Sequence, residues 1–528
     1  MRKNLSFFKN KFLKAFIFGA LCDLAFAPLH FFLAAPLSLT LFYLLLQSQF
    51  NSQSSNNKKN FFWIGWFYGF GYFFAGVYWI AISLLVDGEK FAWLIPFSLT
   101  LIPGVLAFYF GLLCLIYYAA IAKFSLTKNY EKIITFAVCW LICELLRSFL
   151  FTGFPWNLLG YVWVFSDEFI QLGSIFGILG LSFFAVLISL LPALFFQDQS
   201  FSAKLSSGNK IFAAALILSV IASFIFGYCR IDKSKIVKDE NHKLRLVQGN
   251  IKQELKWDRD QKYQNFLKHI DLTNSKDLTN IAAVIWSETS VPYVIDSELV
   301  DKIKPAIPQG GILVTGGLRL ERDQTGEVSK VWNSVFALGN EGMIDHYDKH
   351  HLVPFGEYVP WQKYLPFIDK ITDGAIGFSQ GEGPKTINTQ VFSFSPLLCY
   401  EVIFSDKIID KKNRPDLLIN LTNDAWFGNS SGPYQHFDMA KMRATEYGIS
   451  LVRVANSGIT VFFDPFGRVI KRINLNQEGV IDVEFIKNLE PTFYSRYGYG
   501  TTFLLVLCLS FIIFLAHRKN VVRQNYTS

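Results

Sequence analysis

Ser393-Phe394-Ser395-Pro396-Leu397-Leu398-Cys399-Tyr400-Glu401-Val402-Ile403-Phe404 carries an apolar run that stops abruptly at polar groups. Pro396, Leu397 and Leu398 read as a buried strand. A strand that ends at Cys399, Tyr400 and Glu401 presents its last side chains into a cleft rather than a core. Six of the seven cysteines, Cys22, Cys114, Cys139, Cys143, Cys229 and Cys508, fall within or at the ends of hydrophobic segments, which leaves Cys399 as the one thiol of a large polar region. It has no disulfide partner in that region. A free cysteine so placed is either a small buried hydrophobe or a nucleophile, and the rest of the chain weighs between the two.

The chain has 528 residues, is 51% hydrophobic and contains 54 phenylalanines, with a positive mean hydropathy. These values describe a membrane protein rather than a soluble multidomain one. Apolar stretches long enough for about 30 Å of hydrocarbon recur through the first 230 residues and once near the end. They lie near 12–28, 31–47, 61–84, 92–122, 132–150, 170–196, 211–228 and 501–516, predicting eight spans, the fourth kinked at Pro96 or Pro103. The first has no small-residue cleavage site and is followed at once by another span, so it reads as a retained helix rather than a removed signal peptide.

Charge in the short loops sets the orientation. Arg2, Lys3, Lys9, Lys11 and Lys14 precede or open the first span, and Lys58 and Lys59 lie between the second and third. Lys123 and Lys128, then Lys204 and Lys210, occupy the next loops on the same side, and Arg518, Lys519 and Arg523 follow the last span. The alternate loops are nearly devoid of cations. By the positive-inside rule both termini are cytoplasmic, and the polar region of about 231–495 lies outside the cytoplasm. The net charge of +8 is then mostly anchoring cations. No basic and aromatic interleaving in the polar region points to nucleic acid.

Within the apolar part, the uncharged aromatic loop Phe151 to Tyr161 is expected at the membrane interface. Glu144 and Arg147, three apart on one helical face, could pair with each other or grip a lipid head group. Asp23 is an intramembrane carboxylate with no assigned role. In the polar region, short apolar or β-branched runs read as strands: Leu244–Val247, Ala283–Trp286, Ile312–Thr315, Ser334–Leu338, Leu397–Cys399, Leu417–Leu421, Leu451–Ala455 and Thr460–Phe463. Helical stripes lie between them, with Tyr263, Phe266, Leu267 and Ile270 in one and Phe437, Ala440 and Ala444 in another. This alternation predicts an α/β layered domain with its reactive groups at strand ends. There are no internal repeats and no metal-spaced cluster of Cys and His; His350, His351 and His436 read as hydrogen-bonding residues rather than ligands. Tyr364 to Gly383, apolar and punctuated by glycine, reads either as an arm over the site or as an ordinary surface loop.

Two further strand-end or turn stretches carry unusual polar groups. Glu288 directly follows the apolar run Ala282-Ala-Val-Ile-Trp286, and Lys349 and Glu357 share the turn-rich segment Tyr347 to Pro360. A thiol becomes a good nucleophile when a base takes its proton, and a carboxylate can act so if burial, among groups such as Trp286, raises its pKa. A lysine then supplies positive charge to the oxyanion formed on attack, with Glu357 holding that ammonium in place. Singly each is an ordinary charge. Together, after successive apolar strands, they point to nucleophilic chemistry.

These motifs resemble those of the carbon-nitrogen hydrolase (nitrilase) superfamily with its Glu-Lys-Cys triad. The full set, in order, is Phe151-Thr-Gly-Phe-Pro-Trp156, Val247-Gln-Gly-Asn-Ile251 before Trp257, Trp286-Ser-Glu288, Lys349-His-His-Leu-Val-Pro-Phe-Gly-Glu357, Cys399-Tyr-Glu401 and Asn423-Asp-Ala-Trp-Phe-Gly428. It is similar to that of the bacterial apolipoprotein N-acyltransferases over nearly the whole chain. The resemblance implies a multi-pass helical membrane domain of about eight spans, with a nitrilase-like αββα sandwich between the seventh and eighth. The domains are then 1–230, 231–495 and 496–528, in the bacterial inner membrane with the catalytic domain periplasmic. It further implies transfer of a fatty acyl chain from a phospholipid, typically phosphatidylethanolamine, through a Cys399 thioester to the α-amino group of a lipoprotein's diacylglyceryl-cysteine, without metal or cofactor. By the same resemblance Glu288 is the general base, Lys349 the oxyanion lysine, Cys399 the nucleophile and Glu357 the supporting carboxylate, while Trp257, Asn333, Tyr400 and Glu401 line the site. A membrane-tethered amidase, or a scaffold whose polar domain only binds, are the rival readings. The first would not need eight spans, and the second gives no reason for the triad.

Overall fold

The computed structural model describes residues 10–511 apart from 51–56, 198–199, 202–203, 233–235, 361, 363–369 and 371–376. Most of the segment expected to form an arm, including Leu365, Pro366, Phe367 and Ile368, lies outside the described residues. The chain forms two compact units. One comprises the described parts of Met1–Tyr78, Phe97–Arg230 and Pro491–Ser528; the other comprises those of Trp79–Pro96 and Ile231–Glu490.

The first unit is helical. Asn129–Thr152, Gly173–Phe195 and Ser207–Arg230 are long and apolar enough to cross a membrane, as is Gly88–Phe124, which enters this unit at Phe97. Helices Lys11–Cys22, Ala34–Phe50 and Asn57–Gly76 occupy the first three expected places, and the short apolar helix Gly500–Phe511 the last. Lys11–Cys22 stops early because the chain tightens into a 3-10 turn at Asp23–Ala25. The 30-residue helix Ile95–Phe124 carries Pro103 inside it. Pro96 sits in its first turn, where a missing N–H costs nothing. Helices Lys11–Cys22 and Asn57–Gly76 touch through glycine: a Cβ on Gly19 would lie 1.9 Å from the Tyr68 oxygen, and one on Gly71 2.0 Å from the Phe16 oxygen. Small residues permit this backbone approach.

The loop Phe151 to Tyr161 is largely packed inside this unit, where Trp156, Leu158 and Leu159 are buried, although Phe151 is exposed. Glu144 and Arg147 explain why, since both hold the loop's main chain. Arg147 donates to the Phe154 and Trp156 oxygens, each at 2.6 Å, and Glu144 Oε1 accepts from Leu159 N at 2.8 Å and from Trp140 Nε1 at 3.0 Å. Three loop groups that would otherwise be buried unsatisfied gain partners in this way.

The second unit holds two sheets. The first contains β1 (Lys238–Gln248), β2 (Ile281–Ile285), β3 (Val291–Val294), β4 (Ile312–Arg322), β5 (Val328–Gly339), β6 (Gly342–Asp348) and β13 (Gly479–Ile486). Its order is β13-β1-β2-β4-β5-β6, with β3 paired to β4. The second contains β7 (Ile387–Asn388), β8 (Ser393–Leu398), β9 (Leu417–Thr422), β10 (Leu451–Ala455), β11 (Thr460–Phe463) and β12 (Val469–Ile473). These strands lie side by side in sequence order. The central strands are parallel: β1, β2 and β4 in one sheet, β8, β9 and β10 in the other. Parallel strands buried on both faces need near-continuous apolar runs, which is why these read so clearly in sequence.

Leu244, Ile285 and Val314 of the first sheet pack against Phe394, Ile419 and Val454 of the second in one core. Helices Lys262–Asn274 and Ser297–Ile303 cover the outer face of the first sheet through Phe266, Leu299 and Ile303, and helix Gly432–Tyr447 packs on β10. The layers therefore run helix, sheet, sheet, helix. Trp79–Pro96, expected as part of the 1–230 region, belongs to this second unit. Its Trp79 ring lies 4.5 Å from the Phe427 ring, and Trp79 Nε1 donates to Gln435 Oε1 at 3.3 Å.

Candidate functional site

Parallel strands deliver their next residues to one edge of a sheet, and the polar groups gather there. β8 ends at Leu398, in register with Leu421 of β9, so Cys399 and the segment Asn423-Asp424 emerge side by side. In the first sheet β2 ends at Ile285 and is followed by Trp286, Ser287 and Glu288. Asn333 lies within β5 and Lys349 directly follows β6.

Cys399 has a φ of +49°. A non-glycine residue in the left-handed region holds that conformation only when its surroundings impose it. His436 Nε2 donates to the Cys399 oxygen at 3.1 Å, and Asn420 Nδ2 approaches the same oxygen at 3.4 Å. Behind them His436 Nδ1 lies 3.0 Å from Asp424 Oδ1, while Arg453 donates to the other Asp424 oxygen and, at 2.8 Å, to Asn420 Oδ1. This buried set fixes the elbow that carries the thiol.

Glu401 fixes the elbow from the other side. Its Oε2 accepts from Leu398 N at 2.7 Å, and its Oε1 from Tyr347 OH at 2.8 Å, His350 N at 2.8 Å and His351 N at 3.0 Å. One carboxylate thus ties the end of β8 to the segment that carries Lys349. Glu401 supports the site from behind, through backbone donors and Tyr347.

Glu288, Asn333, Lys349 and Glu357 form one buried network. Asn333 Nδ2 donates to Glu288 Oε1 at 2.8 Å and to Glu357 Oε1 at 3.2 Å, and Lys349 Nζ donates to Glu357 Oε1 at 2.8 Å. Glu357 Oε2 is held by Val353 N at 2.8 Å. The Lys349 side chain is 1% exposed. Burial alone would lower its pKa, but the carboxylates of Glu357 and Glu288 and the thiol outweigh that and hold it above the ordinary lysine value. It stays an ammonium. Burial pushes the Cys399 thiol up to about 12, the charge of Glu288 adds to the rise, and Lys349 opposes it. At neutral pH the resting thiol is therefore protonated, and its proton must leave as attack proceeds.

Gly316 on β4 lets the Glu288 turn come close. A Cβ there would lie 2.4 Å from Thr289 N and 2.8 Å from Glu288 Cα. Trp286, expected beside the carboxylate, packs in the core between the first sheet and its helices, with Nε1 donating to Thr273 Oγ1 at 2.9 Å. The Tyr400 ring lies 5.2 Å from Phe404 and 5.9 Å from His351. Trp257 is half-buried after the short helix Gln253–Lys256, with the Lys262 ammonium 5.9 Å from its ring. Direct contacts thus join Glu288, Asn333, Lys349 and Glu357, with Cys399 in the field of Glu288 and Lys349, while Tyr400 packs against His351 of the Lys349 segment.

Sequence reasoning missed Lys256, whose Nζ donates to the Glu288 main-chain oxygen at 2.8 Å, and the roles of Asp424 and Arg453. One signal was present: Arg453 is a cation in the middle of the apolar run Leu451 to Ala455, and a charge there requires a buried partner.

Two family models match the chain in succession: the apolipoprotein N-acyltransferase N-terminal domain over residues 18–191 and carbon-nitrogen hydrolase over residues 243–489. An apolipoprotein N-acyltransferase of Rickettsia prowazekii (strain Madrid E) is 35% identical over 511 residues, 96% of this chain and 98% of that protein. One of Rickettsia bellii (strain RML369-C) is 37% identical over 511 residues, 95% of this chain and 97% of that protein. One of Allorhizobium ampelinum is 35% identical over 485 residues, 90% and 89% of the two chains. A helical part and a hydrolase-like part matched in this order, with relatives aligned nearly from end to end, mean that the chain belongs to the apolipoprotein N-acyltransferase family.

Proposed function

We infer that this protein is a membrane-embedded acyltransferase that N-acylates lipoproteins, and that Cys399 carries the acyl group between two half-reactions. The observation that supports the covalent route is the buried network in which Glu288, Asn333, Glu357 and Lys349 are joined at 2.8 to 3.2 Å, with Glu288 and Lys349 acting on the thiol. In the first half-reaction the Cys399 proton passes to Glu288 as sulfur attacks the carbonyl carbon of a phospholipid ester. Lys349 holds the oxyanion, and the lysophospholipid alkoxide leaves with the proton from Glu288. In the second, the neutral α-amino group of diacylglyceryl-cysteine attacks the thioester carbon, its proton passes to Glu288, and as the amide forms the C–S bond breaks and the Cys399 thiolate takes that proton back from Glu288. Glu357 fixes the Lys349 ammonium. Trp257, Asn333, Tyr400 and Glu401 line or support the pocket. Phosphatidylethanolamine is the donor.

The proposed topology has eight spans, both termini cytoplasmic, residues 231–495 on the periplasmic face of the inner membrane, and residues 496–528 as the last span and tail. Its support is the alternation of loop cations. A pocket beside the bilayer receives acyl chains without drawing them through water.

The test is incubation of purified protein with phosphatidylethanolamine and a diacylglyceryl-cysteine peptide. Equal yields of lysophospholipid and N-acyl peptide are expected, and Glu288→Gln and Lys349→Met should lose both. Free fatty acid with no acylated amine would assign a hydrolase and overturn the reading.

A further inference from the structure

Lys256 ends the four-residue helix Gln253–Lys256 and is 4% exposed. Among the described residues its Nζ donates to the Glu288 main-chain oxygen at 2.8 Å. The other buried cations of this unit each have a carboxylate: Arg245 with Asp482 at 2.8 Å, Lys349 with Glu357 at 2.8 Å, Arg443 with Glu446 at 3.0 Å, and Arg453 with Asp424. Among the described residues Lys256 has none at ion-pair distance. A buried ammonium without a paired carboxylate is costly, and a carbonyl oxygen repays only part of its lost hydration.

The charges around it give a reason for keeping it. Glu288 and Glu357 share the Asn333 amide, and Lys349 is the only ammonium bonded to either carboxylate among the described residues. The set is therefore one positive charge short. Lys256 supplies it from its bond to the Glu288 main chain; burial pulls its own pKa down to about 8, against the charges of Glu288 and Cys399, so it remains an ammonium at neutral pH and below. On its other side His269, of helix Lys262–Asn274, is pushed by burial down to about 4, so that it is neutral across the working range. Lys268, on the same helix, is paired with Glu478. Asp424 acts on Cys399 from the second sheet.

We propose that Lys256 is a positioning residue of the acyl transfer, holding the main chain of Glu288 through its carbonyl oxygen and lending the positive potential that keeps the Glu288 carboxylate ready to accept the Cys399 proton. The inference rests on Glu288 acting as the base. Removing the cation makes an ionised carboxylate less favourable, so the acidic limb of the rate profile must move to higher pH. A residue that merely fills space would lower the rate evenly at all pH values.

The experiment is the rate of thioester formation from phosphatidylethanolamine against pH for wild type, Lys256→Met and Lys256→Arg, read by intact mass. Lys256→Met should move the acidic limb up by about half a pH unit or more and so lose about threefold or more in rate below it, whereas Lys256→Arg, which keeps the charge, should leave the limb in place. An even slowing of Lys256→Met with an unmoved limb would overturn the proposal. Should Lys256→Met not elute as a folded protein, Lys256→Arg decides, because a shifted limb there contradicts a role set by charge. A wild-type protein that forms no thioester would instead refute the Cys399 reading on which the inference stands.

Discussion

His436 Nε2 donates to the main-chain oxygen of Cys399 at 3.1 Å, and Cys399 has a φ of +49°. The imidazole itself lies 3.0 Å from Asp424, so a hydrogen bond from helix Gly432–Tyr447 supports the strained residue that carries the nucleophile. His436→Leu removes the donor and leaves the Cys399 oxygen dependent on Asn420. Thioester formation should fall at least about tenfold, since a displacement of about 1 Å at a reacting atom costs that much or more. The check is single-turnover acylation beside circular dichroism. A folded His436→Leu protein that acylates at the wild-type rate would remove His436 from any positioning role.

Glu401 collects four donors from two segments at 2.7 to 3.0 Å. Glu401→Gln keeps the shape but turns one oxygen into an NH2 group that faces donors. Each buried donor left unsatisfied costs about 1 to 3 kcal/mol, so a lowered unfolding midpoint is expected together with lost activity. Thermal unfolding of the detergent-solubilised protein measures it, and an unchanged midpoint would show that the donors find other acceptors.

Gly316 and Gly317 are adjacent on β4 but meet different neighbours. A Cβ on Gly316 would lie 2.4 Å from Thr289 N, whereas one on Gly317 would come no closer than 3.3 Å to any atom, and there to side-chain carbons of Ile295 and Phe336. Gly316→Ala must push the Glu288 turn away, so acylation should slow about tenfold or more, while Gly317→Ala stays within about threefold. Equal effects of the two would mean that the Glu288 turn has room to spare.

The pH dependence of Cys399 follows from its surroundings. Because burial and Glu288 push the thiol up to about 12, the thiolate fraction should climb about tenfold per pH unit beyond pH 9. Iodoacetamide labelling of Cys399, followed by peptide mass, should rise through pH 10 without levelling. Lys349→Met removes a cation that lowers this pKa and should move the curve further up. A plateau below pH 9 would mean that the resting thiol is already activated.

The parts that were legible in sequence are those where physics leaves little choice. Strands buried on both faces, such as Leu417–Thr422 and Leu451–Ala455, are mostly apolar; their interior exceptions, Asn420 and Arg453, bond each other beneath the site, and the first strand leads into Asn423-Asp424. The hairpin of Ile312–Arg322 and Val328–Gly339 was half legible. Its far half is exposed and carries Glu321 and Lys330 across from each other at 3.1 Å, so polar alternation hid it. Val469–Ile473 and Gly479–Ile486 were hidden for the same reason. Of the site, Glu288, Lys349 and Cys399 stood out as polar groups after apolar runs. Lys256 did not, because a lysine in the short polar stretch Lys252 to Lys256 looks like a solvated charge until the fold buries it beneath Glu288. Glu144 and Arg147 looked like a pair at helical spacing, but both hydrogen-bond to the main chain of the loop that follows them.

Intact-mass measurement of the protein after exposure to phosphatidylethanolamine, with no amine acceptor present, tests the covalent route most directly. Wild-type protein should gain one acyl mass, lose it to hydroxylamine and pass it to a diacylglyceryl-cysteine peptide, whereas Cys399→Ser and Glu288→Gln should gain nothing. A wild-type protein that never gains the mass, yet transfers acyl chains to the peptide at full rate, would contradict the account and require direct attack of the amine on the phospholipid.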